Sequence, residues 1–452
     1  MPPRGGTIAA VALRRTGLAL WRMRFGLRGR RMRRRAVACQ LRLACEELGP
    51  TFVKLGQLAS VRPDLVPAEA AFELERLQDR LPPVPIEPIR ATLTAELGAP
   101  PERIFATFDP VPVATASIAQ VHRATLAHDY RPVVGAMLHA GATVAVKVIR
   151  PGVERTIDQD LAVASRWAAL LDRVPRLQRL GLRSMLAEFR ASLRSELDLR
   201  NEGRVADRFA RDFADDPLVC VPRVVWRHTT RRVLVSEFVE GWRLSDLSDA
   251  ERAGVDARGL ATHGAEVFLR QVLVHGRFHA DLHPANLFVT PDGRICYLDF
   301  GIVGRTTPQQ RIAIAQVLAA TVYGDADRAL RYSRELGLEV PERDEAAVRD
   351  AVDALMRRHL TESEPADVRG FALGFLSMLA DFRIPVPEGY GLLVKALATV
   401  EGVARAIYPD IDITRTAAPF ATRLVAAQLA QPRRLRERLP AATRAALREL
   451  LA

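Results

Sequence analysis

The sequence predicts an α+β fold in which a small strand-containing region precedes a large helical one. Short runs of β-branched residues lie between residues 105 and 240, and the clearest is the alternating run from Thr143 to Ile149. From about residue 241 to the end the pattern is mostly helical, with two short strand-like runs near residues 286–289 and 295–298. The chain has 452 residues, of which 48% are hydrophobic, enough for a substantial core.

Four segments follow from these patterns. Residues 1–35 form a basic arm, and residues 36–104 form a helical N-terminal extension. The strand-containing region, residues 105–240, carries a helical insertion over about 154–214 and a loop or hairpin from His128 to Ala142. Residues 241–452 form the helical region and end in an arginine-rich, amphipathic tail that either lies on a membrane surface or packs on the helices.

The formal charge of +12 is concentrated at the N-terminus, where no acidic residue precedes Glu46 and eight arginines lie between residues 22 and 35. Such a segment attracts phosphate groups of nucleic acid or of an anionic membrane, or it is a solvated, partly disordered arm. No aromatic side chains are interleaved with a basic patch, so nucleic acid is not an expected partner.

The four cysteines have no CxxC spacing, which argues against a disulfide framework or a zinc site and favours a reducing compartment. No signal peptide and no uninterrupted apolar stretch of membrane-spanning length is evident. We therefore expect a cytoplasmic protein with at most peripheral contact to the inner face of the cell membrane.

The strongest local signal is a set of acidic and amide residues near residue 290. Asp281 is followed five residues later by Asn286, then by two short strands joined at a Pro-Asp-Gly turn, and then by Asp299-Phe300-Gly301. Carboxylate and amide oxygens are suitable Mg²⁺ ligands, so Asn286 and Asp299 are the candidate metal ligands. Asp281 is the candidate group that orients, or takes the proton from, an attacking hydroxyl or water. The order and spacing are those of the protein-kinase signature.

Upstream, Val144-Ala145-Val146-Lys147 matches the kinase pattern that places a lysine on a strand to hold the α- and β-phosphates of ATP. Its carboxylate partner should come from the helical insertion, and Glu202 is the candidate. Asp198 lies four residues earlier, so on one helix the two carboxylates should point to one site. A solvated acidic helix face is the alternative.

The loop ahead of the lysine strand differs from the usual glycine-rich phosphate loop, because alanines replace the glycines. Alanine restricts the close backbone approach and the positive φ that glycine permits, so the loop should be stiffer. Its candidate nucleotide-binding residues are consecutive: Ala114, Thr115, Ala116, Ser117 and Ile118.

Together these features resemble the UbiB family, also called AarF or ABC1-like atypical kinases. The resemblance rests on Lys54-Leu55-Gly56-Gln57 in the N-terminal extension, on the alanine-rich loop, on Glu196-Leu197-Asp198, and on the two metal-ligand motifs. It covers roughly residues 40 to 415 and implies a protein-kinase-like two-lobed fold.

The resemblance implies an ATP- and Mg²⁺-binding kinase or ATPase in which Lys147 holds phosphate and Glu202 orients Lys147. The backbone at Glu237 and Val239 would contact adenine. Family members are associated with the biosynthesis of ubiquinone or other isoprenoid lipids, which implies lipid, membrane and quinone-biosynthesis proteins as partners. The regulatory residues implied over the active site are Lys54, Gln57, Glu196 and Asp198.

The same resemblance predicts weak activity on proteins in trans, because the N-terminal extension would fill the groove for a polypeptide substrate. Two departures from the family pattern, Leu282 and Ala285, lie in the catalytic loop. A pseudokinase-like scaffold that binds nucleotide without turnover is one alternative, and a conventional protein kinase is another. The complete catalytic set argues against the first, and the missing glycine loop argues against the second.

Overall fold

The computed structural model describes residues 4–25, 30–60, 82–173, 182–244, 254–280, 284–386 and 389–416, together with Ala70, Glu73, Leu74, Leu77 and Leu282. The chain forms two compact units. The first comprises Met1–Trp242 and Asn286–Gly301, and the second comprises Arg243–Ala285 and Ile302–Ala452.

The first unit contains eight helices and most of the strands among the described residues. Its helices are α1 (Arg4–Phe25), α2 (Arg30–Leu48), α3 (Pro50–Ser60), α4 (Ile86–Leu97), α5 (Pro101–Ile104), α6 (Val153–Leu171), α7 (Leu182–Glu196) and α8 (Leu199–Asp212). Its strands are β1 (Phe105–Thr115), β2 (Ala119–Leu126), β3 (Thr143–Ile149), β4 (Val219–Cys220), β5 (Val233–Glu237), β8 (Leu287–Val289) and β9 (Ile295–Tyr297), and β6 (Trp242–Arg243) lies at the boundary.

A four-stranded antiparallel sheet in the order β1-β2-β3-β5 is the centre of the first unit. Val144, Val146 and Val148 alternate along β3 and are fully buried, because successive strand residues point to opposite faces. They pack with Ile89 and Leu93 of α4 in one hydrophobic cluster. A second small sheet pairs β4 with β9 in parallel and β9 with β8 antiparallel.

The basic N-terminal segment is helical where it is described. Ile8 and Val11 of α1 pack against Leu48 at the end of α2 and against Val163 of α6. Arg15 also forms an ion pair with Glu47, at 2.9 Å. Tertiary packing thus orders a segment for which the composition left a solvated, disordered arm as one alternative.

The insertion between β2 and β3 is a hairpin. Tyr130 and Leu138 exchange two backbone hydrogen bonds of 2.7 and 2.9 Å. The Tyr130 hydroxyl accepts a hydrogen bond of 3.0 Å from the Trp226 amide. Among the residues that follow α8, Val219–Cys220 pairs as a strand, and Val224 adds an isolated bridge to β5.

A buried polar group on β2 gives stability that depends on pH. His122 is fully buried, with Nδ1 2.9 Å from the carbonyl oxygen of Asp109 and Nε2 3.0 Å from Nε2 of Gln120. This arrangement fits a neutral ring in which Nδ1–H donates to the carbonyl and Nε2 accepts from the amide. Burial lowers the pKa of His122, and the bond to Asp109 opposes this lowering only in part.

We expect the free energy of unfolding to fall as the pH drops below about 6.5, because the unfolded chain then gains a proton that the buried ring does not take up. Urea unfolding at pH 7.5 and 5.5 tests this, with His122→Gln as the variant that cannot titrate. The wild type should lose more stability than the variant over that interval. Equal losses would show that His122 does not carry the effect.

The second unit is mostly helical. Its helices are α9 (Ala257–Arg270), α10 (Pro308–Val322), α11 (Ala326–Glu335), α12 (Glu345–Met356), α13 (Val368–Asp381) and α14 (Tyr390–Ile407). π-helical turns follow α9 at Gln271–His275 and α12 at Arg357–Thr361. The strands β7 (Arg277–His279) and β10 (Val303–Arg305) pair antiparallel.

The carboxylate of Glu401 fixes the start of α13 inside this unit. It is fully buried and accepts hydrogen bonds from the backbone amides of Val368 and Arg369 and from Nε of Arg405. Carboxylates stabilise helix N-termini because the amides there have no intrahelical acceptor.

In the described part of the chain, no helix has the length and apolarity needed to cross a lipid bilayer.

Candidate active site

Lys147 lies on β3, on the face opposite the buried valines. β3 is paired on both sides, with Val121 of β2 and Leu234 of β5 opposite Lys147. The strand is therefore paired on both sides, which holds the backbone that carries the Lys147 side chain in place.

Glu202 lies in the first turn of α8 and forms an ion pair with Lys147. Nζ of Lys147 donates to both carboxylate oxygens of Glu202, at 2.7 and 2.8 Å. The next residue, Gly203, allows the close approach of α8 to the sheet, since an added Cβ would lie 3.1 Å from the Trp226 ring and 3.3 Å from Leu234. Sequence reasoning did not identify Gly203 as a packing position.

Asp299 completes a three-residue cluster. Oδ2 of Asp299 lies 3.6 Å from Nζ of Lys147, and Oδ1 accepts a hydrogen bond of 2.8 Å from the Gly301 amide. The side chain of Asp299 is 43% exposed, so its oxygens remain accessible. The carbonyl oxygen of Asn286 accepts a 3.0 Å hydrogen bond from the Leu298 amide, which places Asn286 beside the Asp299 segment.

The helix that carries Glu202 also packs on the segment around Asp299. Phe209, two turns after Glu202 on α8, contacts the rings of Tyr297 and Phe300, with centroid distances of 4.9 and 5.3 Å. One helix face thus positions both carboxylates relative to each other.

Lys54 and Gln57 lie on α3 in the N-terminal extension. Nζ of Lys54 is 3.2 Å from Oε2 of Glu196 at the end of α7, and both side chains are mostly buried. Gln57 donates a 3.4 Å hydrogen bond to the carbonyl of Leu77. Between them, Gly56 packs so closely that an added Cβ would overlap the Leu77 side chain.

A second buried contact fixes α3 and was not predicted. The hydroxyl of Thr51 donates a 2.6 Å hydrogen bond to Oδ2 of Asp160 on α6, and both residues are buried. The partners are 109 positions apart in the chain. No periodic pattern marks such a pair, so only the folded structure reveals it.

The electrostatics of the cluster favour a bound cation. Burial lowers the pKa of Lys147, but the Asp299 and Glu202 carboxylates outweigh this effect and raise it, so the lysine is an ammonium. Burial, together with the Asp299 and Glu196 carboxylates, raises the pKa of Glu202 to about 7 against the lowering effect of Lys147. The carboxylates of Glu196, Glu202 and Asp299 lie beside the two lysines Lys54 and Lys147, so the negative charges outnumber the positive ones by one.

The expectation that Asp198 and Glu202 converge on one site is wrong. Asp198 is the N-cap of α8, with an extended backbone (φ −111°, ψ 91°) and an oxygen that accepts from the Arg200 amide. Its carboxylate also binds the Arg200 guanidinium, at 2.6 and 2.8 Å, and these bonds lower the pKa of Asp198. The i,i+4 rule does not apply to the cap residue, because it lies outside the regular helix.

The alanine-rich loop is the turn between β1 and β2. Ala114 and Thr115 end β1, and the Ala116 amide donates a 2.9 Å hydrogen bond to the Ala119 carbonyl. Ser117 and Ile118 are buried, and the Ile118 carbonyl accepts from the Arg150 amide at 2.9 Å. Oγ of Ser117 has no hydrogen-bond partner among the described residues. A buried hydroxyl without a partner is costly, and such a group in a folded protein calls for an explanation.

The predicted adenine-contacting segment already uses some of its backbone groups in hydrogen bonds within the protein. The Glu237 amide already donates to the Arg223 carbonyl at 2.8 Å, and the Phe238 amide donates to the Thr143 carbonyl at 3.0 Å. The Glu237 carboxylate binds Arg223, whose guanidinium also donates to the Ala136 carbonyl in the insertion hairpin. These bonds use the backbone amides of Glu237 and Phe238, and the Glu237 carbonyl and the Val239 backbone stay the predicted contacts to a base.

Asp281, the predicted catalytic base, lies outside the described residues, as does the arginine-rich tail from residue 433. Among the residues that the structure does describe, no group of three or more His, Cys, Asp or Glu side chains could enclose a metal ion.

Lysine usage is a further signal in the sequence. Only three of the 65 basic residues are lysines, and they are Lys54, Lys147 and Lys395. Lys147 belongs to the cluster just described, and Lys54 pairs with Glu196 beside it. A lysine presents a compact charge that arginine does not reproduce. In so arginine-rich a chain, the lysines therefore indicate positions where a compact charge is required.

Comparison with known proteins agrees with this geometry. The model of the ABC1 atypical kinase-like domain matches residues 76–333, and the model of the UbiB helical domain matches residues 372–412. The chain belongs to the UbiB family of ABC1-type atypical kinases. The predicted kinase-like α+β fold is thereby confirmed.

Curated relatives of this UbiB-family chain cover most of its length. The "Probable protein kinase UbiB" of Marinobacter nauticus is 38% identical over 390 residues, which are 84% of this chain and 69% of that protein. The protein of the same name from Xanthomonas euvesicatoria is 37% identical over 89% of this chain and 73% of its own length. An uncharacterized Synechocystis protein, sll1770, is 34% identical over 87% of this chain and 66% of its own.

A solved structure shares the fold. Rv3197 of Mycobacterium tuberculosis, determined in complex with erythromycin, matches with a TM-score of 0.53 and 22% sequence identity. The match covers 74% of this chain and 83% of that one. At this identity the likeness concerns the fold alone.

Proposed function

We propose that this UbiB-family protein binds ATP with Mg²⁺ and transfers or hydrolyses the terminal phosphoryl group. The observation that carries the proposal is the Lys147–Glu202–Asp299 cluster. A strand lysine held by a helical carboxylate, next to an accessible aspartate, is the arrangement that phosphoryl transfer from ATP requires in kinases. The relatives named as probable kinases support the same class of reaction.

The residues present fit a magnesium ion. Mg²⁺ in nucleotide sites uses one or two protein carboxylates and completes its coordination with phosphate oxygens and water. Asp299 and Asn286 would hold the ion, and the excess negative charge around Lys147 suits a divalent cation. When bound, the ion neutralises charge on the phosphates during transfer.

The protein's own groups then have separate tasks. The Lys147 ammonium binds phosphate oxygens, and Glu202 keeps it in place. The Ser117 hydroxyl and the backbone around it contact the phosphates, since that buried hydroxyl lacks a partner within the described protein. The backbone at Glu237, through its carbonyl, and at Val239 is the proposed contact for adenine, and Asp281 is the proposed base.

We further propose that α3 restricts the acceptor. Lys54 neutralises Glu196, and the Thr51–Asp160 bond and the close packing at Gly56 fix the helix. A fixed helix beside the cluster leaves little reason to expect an extended polypeptide substrate. The proposed acceptor is water or a small, lipid-soluble molecule, with ubiquinone or another isoprenoid lipid as the pathway product and an anionic membrane surface as the place of action.

A nucleotide-dependent thermal shift tests the proposal. ATP with Mg²⁺ should stabilise the folded chain by about 2.7 kcal/mol at a ligand concentration of 100 Kd. ATP with a chelator should stabilise it much less, because Asp299 and the phosphates then repel each other. If neither condition raises the melting temperature, the proposal is wrong. Turnover measured with and without anionic vesicles then tests the proposed membrane site, and equal rates would argue against it.

A further inference from the structure

Two of the four cysteines are neighbours in the small sheet of the first unit, and the proposed reaction uses neither of them. Cys220 ends β4 and Cys296 lies in the middle of β9. The parallel pairing of these strands places the two residues directly opposite each other, and their side chains form a hydrogen bond. Both are free thiols. The fold thus brings together two reactive groups that are far apart in the sequence.

The spacing of the two strands fits a disulfide. Neighbouring strands lie about 4.8 Å apart, and the Cα atoms that a disulfide joins are usually about 4.4–6.8 Å apart. The bond would bring the Cβ atoms of Cys220 and Cys296 to about 3.8 Å, which is closer than the spacing of the strands. One strand must therefore shift when the bond forms. A disulfide that displaces its backbone is easily reduced, as regulatory disulfides are.

The two thiols differ in reactivity. The Cys296 thiol donates a hydrogen bond to Cys220 and the Arg294 charge lies nearby, so the pKa of Cys220 is lowered although the residue is half-buried. Cys296 is fully buried, which raises its pKa and keeps it a thiol. A partly exposed thiolate beside a second cysteine is the arrangement of redox-sensing sites, because the thiolate reacts with the oxidant and the second thiol closes the disulfide.

β4 is the strand that would move. β9 is paired on both sides, whereas β4 is a two-residue strand at the edge of the sheet β4-β9-β8-β6. Three residues after Cys220, Arg223 binds Glu237 at the end of β5. The Arg223 guanidinium donates to the Glu237 carboxylate at 2.7 Å, and the Arg223 carbonyl accepts from the Glu237 amide at 2.8 Å. A shift of β4 toward β9 therefore pulls Arg223 away from Glu237.

We propose that Cys220 and Cys296 are a reversible redox site, in which hydrogen peroxide joins the two thiols as a disulfide and the disulfide loosens the Arg223–Glu237 contact. Because Glu237 is a proposed adenine contact, the disulfide should also weaken nucleotide binding. That consequence rests on the proposed function, whereas the disulfide and the loosened contact do not.

The chemistry needs no reagent other than the peroxide. The Cys220 thiolate attacks one peroxide oxygen, so that an S–O bond forms and the O–O bond breaks. The other oxygen leaves as hydroxide and becomes water with the proton that the Cys220 thiol released. The Cys296 sulfur then attacks the Cys220 sulfenic acid, so that the S–S bond forms and the S–O bond breaks. The leaving hydroxide takes the Cys296 proton, and in sum two thiols are oxidised while one peroxide is reduced to two waters.

Peroxide treatment of the full chain tests the proposal. The treated chain should lose the mass of two hydrogen atoms, non-reducing peptide mapping should link Cys220 to Cys296, and dithiothreitol should restore both thiols. Cys220→Ser should form no disulfide, and if that variant does not fold, Cys296→Ala should give the same result. Cys39→Ser is the matched control and should behave as the wild type, since Cys39 is likewise a half-buried free thiol but lies on α2.

Hydrogen exchange measures the loosened contact without nucleotide. The Glu237 amide should exchange faster in the oxidised wild type and in oxidised Cys39→Ser than in the reduced chains, and peroxide should not change its exchange in Cys220→Ser. Oxidised wild type should also bind ATP with Mg²⁺ about tenfold more weakly than the reduced chain. Absence of ATP binding in both states would contradict the proposed function alone, because mass and exchange decide the redox site.

Three results would overturn the proposal. The first is a peroxide-treated chain in which Cys220 and Cys296 stay unlinked, including one that only gains oxygen at Cys220. The second is a link from Cys220 to another residue or to a second chain. The third is a Cys220–Cys296 disulfide that leaves exchange at the Glu237 amide unchanged.

Discussion

Replacement of Asp299 by asparagine is expected to lower ATP turnover by a factor of about 10² to 10³, the size of effect found when one preorganised group that stabilises transition-state charge is removed. Asparagine keeps the shape of the side chain but removes the negative charge that attracts Mg²⁺. It also removes one of the two carboxylates that raise the pKa of Lys147. Initial rates at saturating Mg²⁺ and ATP measure the effect.

Asp292→Asn is the matched control for this variant. Asp292 lies in the turn between β8 and β9, where it accepts a hydrogen bond from Thr290 and pairs with Arg294 at 2.7 Å. Its turnover should equal that of the wild type. The Asp299→Asn protein should not melt earlier than the wild type, since it relieves excess negative charge. Wild-type turnover in Asp299→Asn would mean that the metal ligand is wrongly assigned.

Replacement of Lys147 by methionine is expected to cost both stability and nucleotide binding. It leaves the Glu202 carboxylate buried without its cation, and breaking a buried ion pair in this way typically costs about 3–5 kcal/mol. The raised pKa of Glu202 allows the carboxyl to take up a proton, so the loss should lie at the low end of that range. Chemical unfolding measures the first effect, and titration with ATP and Mg²⁺ measures the second.

The double variant Lys147→Met/Glu202→Leu separates structure from function. Replacing both members of a buried pair by apolar groups is often neutral for stability. The double variant should therefore recover most of the lost stability while ATP binding stays weak. Recovery of ATP binding together with stability would show that Lys147 is only structural.

The sequence predicted the elements that carry the site better than the contacts between them. The alternating valines of β3 and the kinase-type spacing around Asp299 are local patterns, which can be recognised in the sequence without knowledge of the fold. Lys147 and Glu202 were paired correctly because the motif order implies their positions, although 55 residues separate them.

The errors and omissions have physical causes. Asp198 was misplaced because periodicity does not show where a helix begins, and one residue decides between cap and helix face. Gly203 and the Thr51–Asp160 bond depend on tertiary packing, which leaves no repeat in the sequence.

Chemical labelling by an acyl-phosphate derivative of ATP tests the central claim most directly. The reagent transfers its acyl group to lysines next to the bound phosphates, and the chain contains only Lys54, Lys147 and Lys395. We predict Mg²⁺-dependent labelling of Lys147, with Lys54 as the only secondary position, and its suppression by excess ATP. Labelling confined to Lys395, or labelling of Lys147 that ATP does not suppress, would contradict the assignment of the Lys147–Glu202–Asp299 cluster as the nucleotide site.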